Sequence, residues 1–476
     1  MGQEIGKARF APEDFREFEA RLAEESALLR RELAAGRFAK SGYVGGFELE
    51  SWLVDHNYFP APINEAYLRR LNDPLVVPEL SKFNVELNGT PQPLFGNALS
   101  RMEAELTRTW RRCLDVAHEL DASLVMIGIL PTIHESQLVL KNISSLNRYF
   151  ALNEQALLQR AGKPITISIA GREHLDIVHQ DMMLEAATTS FQVHLQTPAS
   201  EAVRYYNTSI ILSAPIVAAC ANSPFLFGKD LWDETRIPLF EQAVDLGGFH
   251  GLMDKERRVT FGSGYLYDSP CECFEENLRS YPVLLPIHSD TPPGQFVHVR
   301  LHNGTIWRWN RMLVGFDDAN TPHLRIEHRV IPSGPSIVDQ IANAALYFGL
   351  AHFYARDTLA PEARMPFETA RDNFYRSARD GLSASITWLD GLETDVRTLL
   401  LDELIPQAIH ALKQLGIDRD EAEYYLGVVK ARVASGQTGA AWQRTYADKT
   451  QRDFLLLSAA YLREQRSGKP VHQWDL

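Results

Sequence analysis

Between residues 12 and 35 the apolar side chains Phe15, Phe18, Leu22, Leu29 and Leu33 recur among glutamates and arginines. That spacing predicts an amphipathic helix whose apolar stripe packs on a neighbouring domain. At about residue 43 the period shortens, and from there to about 335 short runs of alternating apolar and polar residues are interleaved with helical segments. The clearest helices are expected over 97–120, 147–160, 200–221 and 336–355. Strands and helices do not alternate regularly, so the pattern predicts an α+β fold built on a curved antiparallel or mixed sheet flanked by helices. From about 365 onward the pattern is helical, as in "DEAEYYLGVVKARVASG" and "KTQRDFLLLSAAYLREQ", and strand signals vanish. The chain therefore divides into an N-terminal helix (1–40), a sheet domain (41–360) and a helical C-terminal region (361–476). The last is expected to pack on the sheet domain or to build a contact between copies of the chain.

The strands share a peculiarity. Alternate side chains on a strand point to opposite faces, with same-face neighbours roughly 6 to 7 Å apart. In "GGFELESWLVD" Phe47, Leu49 and Leu53 fall on one face and Glu48 and Glu50 on the other, with Gly46 leaving space beside them. In "KFNVELNGT" Val85 and Leu87 oppose Asn84, Glu86 and Asn88; in "TSFQVHLQT" Phe191, Val193 and Leu195 oppose Gln192, His194 and Gln196. "FVHVRLHNG" reads as a strand with Val297, Val299 and Leu301 opposite His298, Arg300 and His302. In "HLRIEHRVI" Ile326 and Val330 oppose Arg325, Glu327 and Arg329, while His328 joins the apolar side. Any one of these polar faces is ordinary for a solvated antiparallel sheet. Together they favour Glu, His, Gln, Asn and Arg, and none carries the lysine that a solvated surface usually has.

Composition narrows the class of protein. The 476 residues are 45% hydrophobic and 23% charged, as in folded globular chains. A formal charge of -13 opposes non-specific attraction to nucleic acid or an anionic membrane. Four cysteines in a chain of this length make no disulfide framework, which suits a reducing cytoplasm. The opening "MGQEIGKARFAPEDF" has no apolar signal segment, and its sixth residue is Gly where a myristoylation signal wants Ser or Thr. The most apolar stretch is interrupted by Pro215 and Pro224, so no membrane span is expected. No GxxxxGK[ST] loop, HExxH or GxSxG is present, and "GSGYLY" lacks the third glycine of a dinucleotide fingerprint. Any nucleotide must bind on a sheet surface.

The polar faces hold two chemistries. Glu48, Glu50, Glu86, Glu327 and His194, with Gln192 or Gln196, offer ligands suited to Mg²⁺ or Mn²⁺. Arg300, Arg308, Arg325 and Arg329 offer forked donors for carboxylate or phosphate, or else neutralise the acids. Acids beside arginines suggest a polyphosphate substrate bridged by metal ions.

The stretches "GGFELESWLVD", "FNVELNGTP", "TTSFQVHLQ", "NGTIWRWNR" and "RIEHRVIPSGPS", spread over residues 40–350, resemble the second glutamate-cysteine ligase family, the carboxylate-amine ligases. The resemblance implies a glutamine synthetase-like funnel, entered by ATP at one end and an amino acid at the other. It makes Glu48, Glu50, Glu86, His194 and Glu327 metal ligands. Arg325 and Arg329 become the catalytic arginines on phosphate or substrate carboxylate, with Arg308 and Arg325 on the nucleotide. Arg236, which follows an Asn-Ser-Pro turn, would meet the substrate carboxylate, with Gln192, Gln196 and Arg300 nearby. The implied reaction joins an amino-acid carboxylate, by default glutamate, to an amine through an acyl phosphate, using ATP and Mg²⁺ or Mn²⁺. "GILPTIHES" and "FQVHLQ" depart from the Gly-x-His-Pro and H-x-H-x-G forms of some members, so cysteine as acceptor is not implied. A non-catalytic nucleotide or amino-acid binder, and a metal-dependent hydrolase or phosphotransferase, are the competing readings.

Overall fold

The computed structural model describes residues 5–245 and 257–476. The first residues of the leader reading, 1–4, lie outside them. Its centre is an eight-stranded sheet: β1 (Val44–Val54), β2 (Val76–Pro78), β3 (Asn84–Asn88), β4 (Gln92–Pro93), β5 (Ser123–Val125), β6 (Phe191–Thr197), β7 (Asn310–Phe316) and β8 (Pro322–His328). The spatial order is β7-β8-β6-β1-β3-β2, with β4 and β5 pairing on the two ends of β1, and every pairing is antiparallel. The 11-residue β1 is long enough to seat partners along both edges.

The alternation read from sequence explains how this sheet is held. Phe47, Leu49, Val85, Leu87, Phe191, Val193, Leu195 and Ile326 are all buried on one side of it. Against that side pack the helices Ala202–Cys220 and Ile337–Ala355, the first two of a layer continued by Ile405–Leu415 and Arg419–Ser435. His328 lies on this apolar side, stacked on Tyr347 at 4.3 Å with Nδ1 2.7 Å from the Asn310 amide oxygen. A buried Asp339–Arg432 pair at 3.0 Å ties the C-terminal layer to the second helix.

The close approach of sheet and helices falls at Gly45. A Cβ there would lie 2.7 Å from Phe348, 2.8 Å from Leu94 and 2.9 Å from Met102, whereas at Gly46 it would meet only the His194 Cβ at 3.8 Å. Gly45→Ala is therefore expected to lower stability by about 1 to 3 kcal/mol through overpacking, and Gly46→Ala to lower it less, as urea unfolding of the two variants will show.

Helices occur at Pro12–Ala34, Ala98–Glu119, Asn147–Gln159, Ala202–Cys220 and Ile337–Ala355, where periodicity predicts them. Two expectations are corrected. Residues 297–304 form a helix, not a strand. Its buried positions, His298, Val299, His302 and His302's neighbour Asn303, follow helical spacing. The Glu25 carboxylate of the N-terminal helix accepts the backbone N–H groups of His298 (2.7 Å) and Val299 (3.1 Å), capping this helix from outside. The C-terminal region is also not wholly helical, for Ser385–Thr387 and Glu393–Asp395 pair as a short hairpin. Among the described residues no helix is long and apolar enough to cross a membrane.

Candidate active site

Register brings the polar faces into one surface. Glu50 stands opposite Glu86 across β1 and β3. On the other edge of β1, Glu48 stands opposite Gln192 and Gly46 opposite His194. His194 is in turn opposite Glu327, and Gln196 opposite Arg325, across β6 and β8. Arg311 of β7 faces Glu327 across the last pairing. The surface forms one wall of a cavity of about 340 Å³, reached by Glu48, Glu50, Glu86, Gln192, Arg311, Arg325 and Arg329.

Two groups of ligand atoms emerge, each within 4.8 Å of one another: Glu48, His194 and Glu327, and Glu50, Glu79 and Glu86. His194 Nε2 lies 3.1 Å from a Glu48 oxygen and 3.9 Å from a Glu327 oxygen. It is nevertheless a buried nitrogen outside hydrogen-bond geometry with either. Its Nδ1 accepts from Arg325 Nε at 3.1 Å, which leaves Nε2 directed at the two acids. Glu50 accepts from the Ser190 backbone N–H at 2.7 Å and from Gln192 Nε2 at 2.8 Å. Glu86 accepts from Asn88 Nδ2 at 2.9 Å.

The two groups differ electrostatically. Burial, and then the neighbouring carboxylate charge, pushes Glu50, Glu79 and Glu86 each up to about 7. Glu327 is held well below the usual carboxylate range: burial opposes this, but Arg311, Arg329 and His194 outweigh it. Arg311 grips it through Nε at 2.8 Å and Nη2 at 2.9 Å, and Arg329 Nη1 adds a contact at 3.1 Å. Glu48 is likewise lowered, the nearby His194 imidazole overcoming burial. Arg329 also donates to Gln192, so Gln192 bridges that arginine and Glu50. Two groups rich in carboxylate oxygen, one of them beside the His194 imidazole, form donor sets that fit divalent cations.

The remaining expected site residues are placed differently. Arg300, on the helix Val297–Gly304, still reaches the cavity, with its guanidinium 5.9 Å over the Phe316 ring. Gln196 stays beside Arg325 at the outer end of β6. Arg236 and Arg308 do not line the cavity. Arg236 donates to Glu234 (3.1 Å) and to the backbone carbonyls of Arg329 (3.2 Å) and Val330 (2.6 Å), so its donors hold the chain end that carries Arg329. Arg308 pairs with Glu276 at 2.9 Å and donates to Asn277 at 2.7 Å. Protein groups take up the donors that the sequence reading assigned to substrate and nucleotide.

Sequence reasoning missed Glu79, Glu185 and Arg311. Glu79 directly follows β2 in the connection to β3, where no periodicity marks a face. Glu185 sits in the 3₁₀ segment Met182–Ala187 and is pushed well above its usual range, by burial and then by Glu79 and Glu50. Arg311 was legible, because Arg311, Leu313 and Gly315 alternate as a strand face in "NRMLVGF". Gly315 matters there, since a Cβ at that position would collide with the Arg325 guanidinium and with His323.

A curled antiparallel sheet with a concave face of acids and arginines, backed by helices, defines the carboxylate-amine ligase type of fold. The family model for glutamate-cysteine ligase family 2 matches residues 44–467, and the chain belongs to that family. Among solved structures it is similar to the glutamate-cysteine ligase of Francisella tularensis, in complex with AMP, with 13% identity, 90% of each chain covered and a TM-score of 0.53. It is also similar to a bifunctional glutathione synthetase from Pasteurella multocida, with 11% identity and a TM-score of 0.51, over 93% of this chain and 55% of that one. No curated protein is significantly similar to it in sequence.

Proposed function

We propose that the chain is an ATP-dependent ligase that joins an amino-acid carboxylate, glutamate or a close relative, to an amine. The observation that carries this reading is the pair of acid groups brought together at one cavity whose wall Arg325 and Arg329 share. Family membership supports it, as does the AMP held by the Francisella tularensis relative.

In the proposed reaction an oxygen of the donor carboxylate attacks the γ-phosphorus of ATP, and the bond to the β-phosphate oxygen breaks to release ADP. The amine lone pair then attacks the acyl carbon, inorganic phosphate departs, and the amine loses a proton. Glu48, His194 and Glu327 would hold one divalent cation, and Glu50, Glu79 and Glu86 another. Bound there, Mg²⁺ or Mn²⁺ would neutralise the polyphosphate and polarise the transferring group. Arg325 and Arg329 contribute fixed positive charge where the phosphoryl oxygens gain negative charge, which is stabilisation by preorganised electrostatics. Arg311 keeps Glu327 ionised and oriented, and Gln192 ties Glu50 to Arg329. Arg300, at the cavity wall, is the residue assigned to the donor's carboxylate.

A screen of ADP release with ATP, Mg²⁺ or Mn²⁺, single amino acids and a panel of amines tests this reading. Turnover is expected only when both a donor and an amine are present. Equal ADP release with and without them would make the chain a hydrolase, and absence of nucleotide binding would make it neither.

A further inference from the structure

Glu185 is a carboxylate of the cavity that belongs to neither candidate cation group. The segment that carries it is otherwise packed into the protein: Met182, Met183, Leu184, Ala186 and Ala187 are all buried. Asp181 caps that segment by accepting from the Met183 backbone N–H at 2.9 Å, and Asn153 accepts from the Met182 N–H at 3.1 Å. The mount is rigid, yet among the described residues no side-chain or backbone donor lies within hydrogen-bond reach of the Glu185 carboxylate. Glu48, Glu50 and Glu327 have such partners or sit in a cation group, whereas Glu185 has neither.

Its surroundings are mixed: Glu50 and Glu79 line a small pocket with it, while apolar side chains line the larger cavity. A 3₁₀ turn has three residues, so Met182 and Glu185 fall on one face, and both line the cavity. Tyr149 and Leu152, spaced to share a helix face, line it too from the helix Asn147–Gln159, as does Phe240. A carboxylate held at the margin of an oily wall matches a ligand with a cationic head and a carbon body. The arginines of the cavity, by contrast, suit the anionic donor and the phosphates.

We propose that Glu185 binds the ammonium group of the acceptor amine, and that Met182, Leu152 and Phe240 receive an apolar body, so that the acceptor is an apolar primary amine. This rests on the ligase reading above. In its resting form such an amine is a cation, and pairing with Glu185 would seat its nitrogen in the same cavity as the phosphoryl donor. Glu185 thus selects the acceptor and leaves ATP and the carboxylate donor to other residues.

Hydroxylamine separates the two ideas, because at neutral pH it is largely uncharged and attacks acyl phosphates without an ammonium site. With ATP, Mg²⁺ and the donor found in the screen, wild type and Glu185→Gln are expected to form hydroxamate at rates within about twofold. With phenethylamine or isobutylamine as acceptor, the variant's KM for the amine should rise roughly tenfold or more, the value of one charge-assisted pair. The KM values for ATP and donor should stay unchanged. An unaltered amine KM, equal loss of the hydroxamate reaction, or a raised Mg²⁺ requirement would each overturn the assignment, the last by making Glu185 a metal ligand. If the wild type forms no hydroxamate with any donor, the ligase reading itself fails and this inference falls with it.

Discussion

Glu50→Gln is expected to abolish turnover, by about a thousandfold or more, while yielding a folded protein that is more stable than wild type when chelator is present at pH 8. Both effects follow from one carboxylate. It would hold a cation at the heart of the site, and glutamine keeps an oxygen for the Ser190 N–H but offers no charge. The stability gain follows from the folded values near 7 for Glu50, Glu79 and Glu86, against an ordinary value of 4.5. Between those values the folded chain binds more protons than the unfolded chain, so stability falls as pH rises from about 4.5 to 7. Below that window both states are protonated and nothing is lost; above it the full destabilisation is present. Thermal unfolding with chelator should therefore show wild type and Glu50→Gln converging at pH 4 and separating by pH 8. Mg²⁺ or Mn²⁺ should raise the wild-type midpoint more than that of the variant. Parallel pH profiles, or unchanged turnover, would return Glu50 to an ordinary polar sheet face.

Glu327 behaves in the opposite sense. Glu327→Ala is expected to cost about 3 to 5 kcal/mol of folding stability, as well as activity, because it strips the buried Arg311 guanidinium of its bidentate partner. What remains for Arg311 is weak, namely backbone carbonyls of Asn303 at 3.3 Å and Gly304 at 3.4 Å. The folded-state carboxyl is depressed, so its contribution is present above the ordinary value of 4.5 and is lost only as pH falls through the lower folded value. Urea unfolding at pH 7 measures the loss, and a change below about 1 kcal/mol would contradict the account. A double variant, Glu327→Leu with Arg311→Met, should recover most of the stability and none of the activity, since a buried pair can be replaced by apolar groups whereas a cation site cannot.

The acid-bearing strands were legible because alternation is a local property. Glu48 and Glu50, Glu86, His194 and Glu327 declare their shared faces by period alone, and an apolar opposite face confirms each strand. The same reasoning failed at residues 297–304, where Val297, Val299 and Leu301 alternate as convincingly as any strand. There the Glu25 carboxylate, arriving from the N-terminal helix, caps the helical alternative, and no local pattern records a cap supplied 273 residues away. Arg236 and Arg308 lie off the cavity wall for a related reason: a guanidinium looks the same in sequence whether it lines a cavity or donates to protein carbonyls and carboxylates.

By itself, then, the sequence determined the oily and polar sides of each strand, the main helices, and the residue types from which the site is made. Tertiary structure decided which of them meet. Register across β1, β3, β6 and β8 sorted the acids into two groups, and connections between strands carried Glu79 and Glu185 to the same cavity. The physical reason is that alternation is set by the geometry of neighbouring residues along the chain, whereas strand pairing and the course of a loop are set by the burial of the whole apolar face. A carboxylate between strands has no period to betray it until that face has closed.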